Sequence, residues 1–320
     1  MQRRTVATPA SVGLIARHNV SDAHGHRLLA KGRLIQADDV VLLLAHGISH
    51  IEVVEFEPDD IDEHAAAAIV ATRCSASGVT IRPPHHGRVD VFASHAGVVL
   101  VDDMQLAAWH AIPGVTVATL RHGSGVQAGQ RIATIKILPF AIPRHALAQT
   151  PMPAVRLQPY GVTRLAVLII GDPAVWERLQ RTHLRALLAR LRPFPVCEVA
   201  VFHLQADSAQ VTLRLQQLRG YDMIVTLTET SIMDATDVTP ASVLAAGGVI
   251  TCAGAPVEPG NLLLLAQLGS TVILGAPGCI RSMARNVVDL VLPRLLAGVP
   301  VTAHDVYAFA NGGLLSDESA

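Results

Sequence analysis

Two stretches of this 320-residue chain concentrate groups able to hold an anion or a metal ion. The first reads Thr226-Leu227-Thr228-Glu229-Thr230-Ser231-Ile232-Met233-Asp234-Ala235-Thr236-Asp237-Val238-Thr239-Pro240. It sets hydroxyls and carboxylates directly before an expected helix. Hydroxyls and backbone N–H groups at a helix start can bind an anion, and the helix dipole adds to this. Asp237 has two roles open to it. It can be an N-cap accepting the orphan N–H groups of a helix from Val238, or a carboxylate for a metal ion or a ligand N–H. The second stretch is Leu274-Gly275-Ala276-Pro277-Gly278-Cys279-Ile280-Arg281-Ser282. Its glycines allow close backbone approach, and Arg281 with Ser282 could grip a phosphate at the start of a final helix. The alternative is a tight strand-to-helix turn with an exposed arginine. Cys279, ahead of that helix, could have a lowered pKa, or be a small packed side chain. Val257-Glu258-Pro259-Gly260-Asn261 stands close by in sequence.

The elements that must position these loops alternate from Val162 onward. Leu165 to Ile170, Cys197 to Phe202 and Asp222 to Leu227 are apolar strand-like runs, followed by helical segments over Ala174 to Leu191, Ser208 to Leu218 and Val238 to Ala246. Gly247-Gly248 stops the last of these. Leu262 to Leu265 and Thr271 to Leu274 read as further strands, before a long helix from Arg281 to Ala297. Buried strands alternating with helices predict an open, largely parallel sheet in a three-layer α/β domain. Such sheets bind ligands beyond the carboxyl ends of their strands, so the loops after Ile170, Leu227, Leu265 and Leu274 are the candidates.

The first half reads differently. Up to residue 62 the pattern is strand, turn, helix from Ala37, a stop at Gly47 and a strand through Val54. From 63 to 155 an alanine-rich helix, His64 to Thr72, precedes short β-like runs at Val89 to Phe92, Val98 to Val101, Val115 to Leu120 and Ile132 to Leu138. Three domains are therefore expected: a small α+β module (1–62), a β-rich module (63–155) and the α/β domain (156–320). The segment Gly125 to Lys136 resembles the strands of swinging-arm carrier domains. Lys136 falls within a strand-like run and not at a hairpin tip, which makes it a structural lysine.

Composition closes off several function classes. Half the residues are apolar and 16% charged, so the chain folds. No apolar stretch reaches the roughly 18 residues that cross a bilayer; the longest, Leu262 to Ala276, is broken by Gln267, Gly269 and Ser270. The start, Met-Gln-Arg-Arg-Thr, leads into no apolar stretch, and a cytoplasmic protein is expected. A net charge of −1 and 3% aromatic residues argue against nucleic-acid binding. The four cysteines, Cys74, Cys197, Cys252 and Cys279, form no Cys-x-x-Cys pair and read as reduced thiols. The histidine pairs His24/His26 and His85/His86 have no ligand partners at metal spacing and read as turn residues.

The segment Thr228 to Gly248 resembles the signature of the molybdenum-cofactor biosynthesis domain, with Asp237-Val238-Thr239-Pro240 and Gly247-Gly248 as the matching core. Pro259-Gly260-Asn261 and Pro277-Gly278 resemble the family's two Pro-Gly loops. Pro259 to Leu265, Gly275 to Ser282 and Asn286 to Asp289 are similar to a bacterial subgroup of molybdopterin-binding proteins often fused to a nucleotidyltransferase. Leu28 to Val54 resembles a β-module of molybdotransferases. The resemblance implies a bound molybdopterin or molybdenum cofactor. Its phosphate would rest on Ser231 and Gly278 with Arg281 near, and Thr228, Glu229, Thr230, Gly248, Pro259, Gly260, Asn261, Pro277, Cys279 and Ser282 would complete the site. If the chain is an enzyme, a molybdotransferase-like or adenylyltransferase-like transferase is implied, with Asp234 and Asp237 as catalytic acids and Asp237 with Asp207 on Mg²⁺. A degenerate scaffold of the same fold is the third reading. A pterin ligand, a molybdoenzyme or nucleotidyltransferase partner and a homo-oligomer are expected. The chain departs from the family at Glu229-Thr230, where catalytic members carry Gly-Gly, and at Asn261, where they carry a basic residue. A carboxylate at 229 repels phosphate unless a cation intervenes.

Overall fold

The structure, a computed structural model, describes residues 1–148 and 151–315. Contacts divide the chain into two units, neither of them one continuous segment. The first gathers Met1–Ser94, Val101–Leu120 and Gly129–Arg156; the second gathers His95–Leu100, Arg121–Ala128 and Leu157–Ala320.

In the first unit, Gln2–Ala7, His50–Glu55 and Ile15–Ala16 form a three-stranded antiparallel sheet. The helix Ala37–Ala45 covers it, started by a reciprocal Gln36/Asp39 cap and ended where Gly47 takes φ +77°. Its core is Ala16, Leu29, Ile35, Leu43, Ile51 and Val53. A second sheet orders Val115–Thr119, Arg131–Ile137, Arg88–Ala93 and Val79–Ile81, all antiparallel. The helix Glu63–Cys74 is capped by Asp62, whose carboxylate accepts from the His64 and Ala65 amides. Lys136 lies inside its strand, as expected, and its ammonium meets the Glu63 carboxylate at 3.7 Å. The helix Asp103–His110 has no counterpart in the sequence reading. It buries only Trp109, so it shows no apolar periodicity.

The second unit is built on six strands: β1 Arg164–Ile170, β2 Glu198–Leu204, β3 Met223–Thr228, β4 Val249–Ala253, β5 Leu264–Leu268 and β6 Thr271–Gly275. Their order across the sheet is β2-β1-β3-β6-β5-β4. The first four run parallel, and β5 and β4 close the sheet antiparallel. The helices are α1 Pro173–Leu179, α2 Arg185–Leu191, α3 Ser208–Gln217, α4 Val238–Ala245, α5 Val287–Leu296 and α6 Ala303–Tyr307. Alternate residues of β1 enter opposite cores. Leu165, Val167 and Ile169 pack with Leu187, Leu191, Val288 and Val291 of α2 and α5, whereas Ala166, Leu168 and Ile170 pack with Val211, Leu215 and Val243 of α3 and α4. Helices thus cover both faces, which is the expected three-layer α/β domain. Among the described residues, no helix is long and apolar enough to cross a membrane.

Two expectations are corrected. The last helix does not begin at Arg281. Residues Gly278–Arg281 form a single 3₁₀ turn, and α5 starts at Val287, capped by Asn286 with Asp289 bonding back. The site-bearing loop also does not follow Leu265. Because β5 runs antiparallel, the loop at the carboxyl edge precedes Leu264. The strand β4 has no counterpart in the sequence reading either; it is a mostly exposed edge strand with little apolar signal.

Candidate functional site

Strand pairing decides which loops meet. Ile170 lies opposite Thr228, and Thr226 opposite Gly275, across the parallel strands. Across the antiparallel pair, Ala253 lies opposite Leu264 and Leu264 opposite Gly275. The loops carrying Gly171, Glu229 to Asp237, Pro259 to Asn261 and Pro277 to Ser282 therefore share one sheet edge. Gly248 does not join them. It precedes β4 at the opposite edge, where a Cβ would lie 3.0 Å from the Gln267 carbonyl.

Ser231 and Gly278 are neighbours, as the loop pattern implies: a Cβ built on Gly278 would stand 3.8 Å from the Ser231 Oγ. Thr228 donates its hydroxyl to the Thr230 carbonyl at 2.6 Å, which tightens the turn beneath them. Glu229 folds over Gly171. Its Oε2 accepts the Asp172 amide at 3.2 Å, and a Cβ at 171 would come within 2.9 Å of the Glu229 Cβ. A cavity of about 60 Å³ lies here, lined by Gly171, Thr228, Glu229, Ser231, Asp237 and Thr239. It holds about two waters at ~30 Å³ each, or one tetrahedral oxyanion. Beside it a second cavity of about 140 Å³ is lined by Ile232, Met233, Pro240, Ile250, Leu262 and Leu264. A small hollow with hydroxyls and carboxylates in its wall thus adjoins a larger, mostly apolar one that Asp234 also lines.

The carboxylates behave unlike their sequence positions. Asp237 stands at the N-cap of α4 but makes no cap bond. Its Oδ2 turns back to accept the Met233 and Asp234 amides at 2.5 and 3.0 Å. The first N–H groups of α4 are left without a side-chain cap, as orphan donors. Asp234 accepts the Thr236 hydroxyl at 2.5 Å and the Thr236 amide at 2.7 Å, and these bonds hold its carboxyl below the usual range. Asp207 caps α3 through the Gln210 amide at 2.8 Å. Among the described residues, no three His, Cys, Asp or Glu side chains converge as a metal site would require.

Pro259 accepts the Val287 amide through its carbonyl at 3.1 Å, and Gly260, at φ +130°, lies so close to Val287 that a Cβ would meet its Cγ1 at 2.4 Å. Only glycine fits there. The Asn261 carbonyl accepts the Ala255 amide at 2.9 Å. Arg281 is exposed on the 3₁₀ turn, and the Ser282 Oγ accepts the Ala284 amide at 3.1 Å. Burial, and then the Glu258 carboxylate, push the Cys279 thiol up, opposite to the activation its place before a helix suggested.

Two groups at this edge were given no role in the sequence reading. Arg190, almost fully buried on α2, grips the Pro277 to Ser282 loop from below. It donates to the carbonyls of Ile280 (3.1 Å), Ser282 (2.9 Å) and Ala284 (3.0 Å), and to Asp289 at 2.9 Å. Its signal was an arginine one turn after Leu187, beside the apolar stripe of Leu184, Leu187 and Leu191. Thr239 is the other. Its hydroxyl is buried without a hydrogen-bond partner, and it lines the smaller cavity.

The sequence matches no family model and no curated protein. Solved structures similar to the chain include the molybdopterin biosynthesis enzyme MoaB from Thermus thermophilus, 19% identical over 43% of this chain and 98% of that one, with a TM-score of 0.30. The molybdopterin biosynthesis protein MoeA from Pyrococcus horikoshii is 14% identical over 93% and 75% of the two chains, at 0.31. A molybdenum cofactor biosynthesis protein from Pyrococcus furiosus is 10% identical over 93% and 64%, at 0.26. At these TM-scores they are distant likenesses only.

Proposed function

We propose that the chain binds molybdopterin or the molybdenum cofactor at the carboxyl edge of the α/β sheet, in the synthesis, modification or delivery of that cofactor. The orphan Thr239 hydroxyl carries this reading. A buried hydroxyl without a protein partner is costly, and the residue that carries this one lines a hollow of phosphate size beside uncapped N–H groups of α4. Thr239, Ser231 and the α4 amides would hold the ligand phosphate, and the adjoining apolar hollow the edge of the pterin. The motif resemblance supplies the identity of the ligand.

Binding is favoured over transfer chemistry because the three acids available are already engaged: Asp207 on α3, Asp234 on Thr236, and Asp237 on the Met233 and Asp234 amides. Phosphoryl transfer needs metal-binding acids and basic groups together. One observation favours the degenerate scaffold. The Glu229 carboxylate lines the hollow that an anion would enter.

The test is to purify the full chain from a molybdopterin-producing host and assay the fluorescence of oxidised pterin, for wild type and Glu229→Gln. Pterin is expected in both, with at least several-fold more in the variant, since one facing negative charge is removed. Absence of pterin from both would establish the scaffold reading instead.

A further inference from the structure

Between α1 and α2 the helix widens into one π turn, Gln180–Leu184. Such turns have poorer hydrogen-bond geometry and recur at functional sites. This one packs against the Gly278–Arg281 turn of the sheet edge. It carries His183, which is only 6% exposed. The hydroxyl of Thr182 fixes the ring. It gives its one hydrogen to the Arg178 carbonyl at 2.7 Å, so at its 2.8 Å contact with the His183 Nδ1 it accepts. Nδ1 therefore carries the proton of the neutral ring, and Nε2 presents a bare lone pair. Among the described residues no donor reaches that Nε2.

Two positive charges bear on this ring. Burial, then the guanidinium of Arg281 and then that of Arg178 hold its pKa below the ordinary value, so the ring is neutral near neutrality. The side chains of both arginines are exposed and pair with no acid among the described residues. The other charged groups on the elements packed there are engaged or solvated. Arg181 pairs with Glu177 at 3.8 Å, Arg185 is exposed, and Arg190 holds the Ser282 and Ala284 carbonyls together with Asp289. The Nε2 of His203 on β2 accepts from Gln180 at 2.7 Å, and Glu258 acts on Cys279. An anion seated on the Gly278–Arg281 turn changes this balance. It offsets the Arg281 charge, so a proton on Nε2 costs less, and the protonated ring in turn attracts the anion.

We infer that an oxyanion bound at the Gly278–Arg281 turn is taken up together with a proton, which His183 holds at Nε2. This coupling rests on the proposed function for the place of the anion, with Ser231 beside Gly278. The two bindings are reciprocal: what the anion adds to proton affinity, the proton adds to anion affinity. The gain is full below the lowered pKa of the free ring and absent above the pKa of the anion-bound ring. The edge therefore holds oxyanions more tightly as pH falls.

Sulfate tests this in the full chain, because its own charge is fixed from weakly acid to weakly alkaline pH. Calorimetric titration in buffers of different ionisation enthalpy reads the protons taken up. The ring signals of His183 in a pH series of proton NMR spectra, assigned by their loss in His183→Gln, read its pKa. Wild type is expected to take up a measurable fraction of one proton per sulfate at about pH 6, and to bind sulfate about threefold or more tightly there than at about pH 8. Other histidines titrate as well, so His183→Gln must lose the uptake and flatten the pH dependence. Saturating sulfate raises the pKa of the ring. Arg281→Gln, at an exposed position, raises it without sulfate, and sulfate then no longer moves it. The inference is overturned if sulfate does not bind saturably, if it binds without moving the His183 signals, or if His183→Gln, folded by circular dichroism, still takes up the proton. Should that variant not fold, the Arg281→Gln spectra decide alone. Pterin missing from the chain while sulfate still moves His183 would remove the pterin reading and leave this one. Pterin retained with a His183 indifferent to sulfate would do the opposite.

Discussion

A buried hydroxyl without a partner costs about 1–3 kcal/mol, and Thr239, which with Glu229 lines the smaller cavity, carries one. Thr239→Val keeps nearly the same volume and removes the unpaired oxygen. The urea midpoint of this variant is expected to rise, by up to about 1 kcal/mol of stability, while pterin retention falls about fivefold or more. A clear loss of stability would show that the hydroxyl has a partner after all. The carboxylates were harder to read. Asp237 stands where an N-cap belongs, and sequence position alone assigned it there. What prevailed is local geometry: the Asp237 amide bonds the Asp234 carbonyl at 3.3 Å, so the loop doubles back and presents the Met233 and Asp234 amides to the carboxylate. The spacing of Ser231 and Gly278, by contrast, was legible, because each sits directly after a strand that the apolar runs had marked.

At the scale of elements, α2 and α5 are coupled through Arg190 and Asp289. The side chain of Arg190 is 5% exposed and that of Asp289 is 29% exposed. Arg190→Ala leaves three loop carbonyls without their donor and the Asp289 carboxylate with the Asn286 amide of its own cap. A loss of about 2–3 kcal/mol is expected, below the 3–5 kcal/mol of a fully buried pair because Asp289 retains some water contact. Arg190→Lys restores little, since one ammonium cannot span the acceptors of a guanidinium. Guanidinium denaturation of both variants checks this, and equal stability of the lysine variant and wild type would contradict it. The other edge of the sheet is pinned by Asp222, ahead of β3, whose Oδ2 accepts the Thr163 and Arg164 amides of the β1 start at 2.9 and 2.8 Å. Partial burial raises its proton affinity, but those amides and the Thr163 hydroxyl outweigh it, so the folded carboxyl titrates below its ordinary value. The native state then takes up this proton at lower pH than the unfolded chain. The stabilisation is full above the unfolded value near ~3.9 and is lost as pH falls through the lowered folded value. Asp222→Asn should flatten the stability profile across that acid window, and an unchanged slope would exclude the linkage. Strands β1 and β3 were plain from their apolar runs. The start of α5 was not, because the six residues from Arg281 to Asn286 hold no break that distinguishes a 3₁₀ turn from a first helical turn.

At the scale of the molecule, chain order and contact order disagree. A boundary near 155 follows from the sequence, where β-like runs give way to alternating strands and helices. The second unit nevertheless recruits His95–Leu100 and Arg121–Ala128 from the earlier half. Val98 and Leu100, both buried, pack there with Ala297, Val299 and Tyr160. Gly97 lies so close to the Gln158 carbonyl that a Cβ would meet it at 2.3 Å. Hydrophobic periodicity cannot reveal such recruitment, since a strand's pattern says that one face is buried and not against what. A fragment of residues 157–320 therefore keeps the six strands and all the sheet-edge loops but loses the cover over Ala297 and Val299. Losing two buried aliphatic side chains, at about 1.5–3 kcal/mol each, costs about 3–6 kcal/mol. The fragment is expected to unfold at lower denaturant than the corresponding transition of the full chain and to bind a hydrophobic dye. Adding residues 95–128 as a tethered segment should reverse both effects. If the bare fragment matches the full chain, the recruited strand contributes nothing to folding, and the 156–320 boundary read from sequence is the physical one.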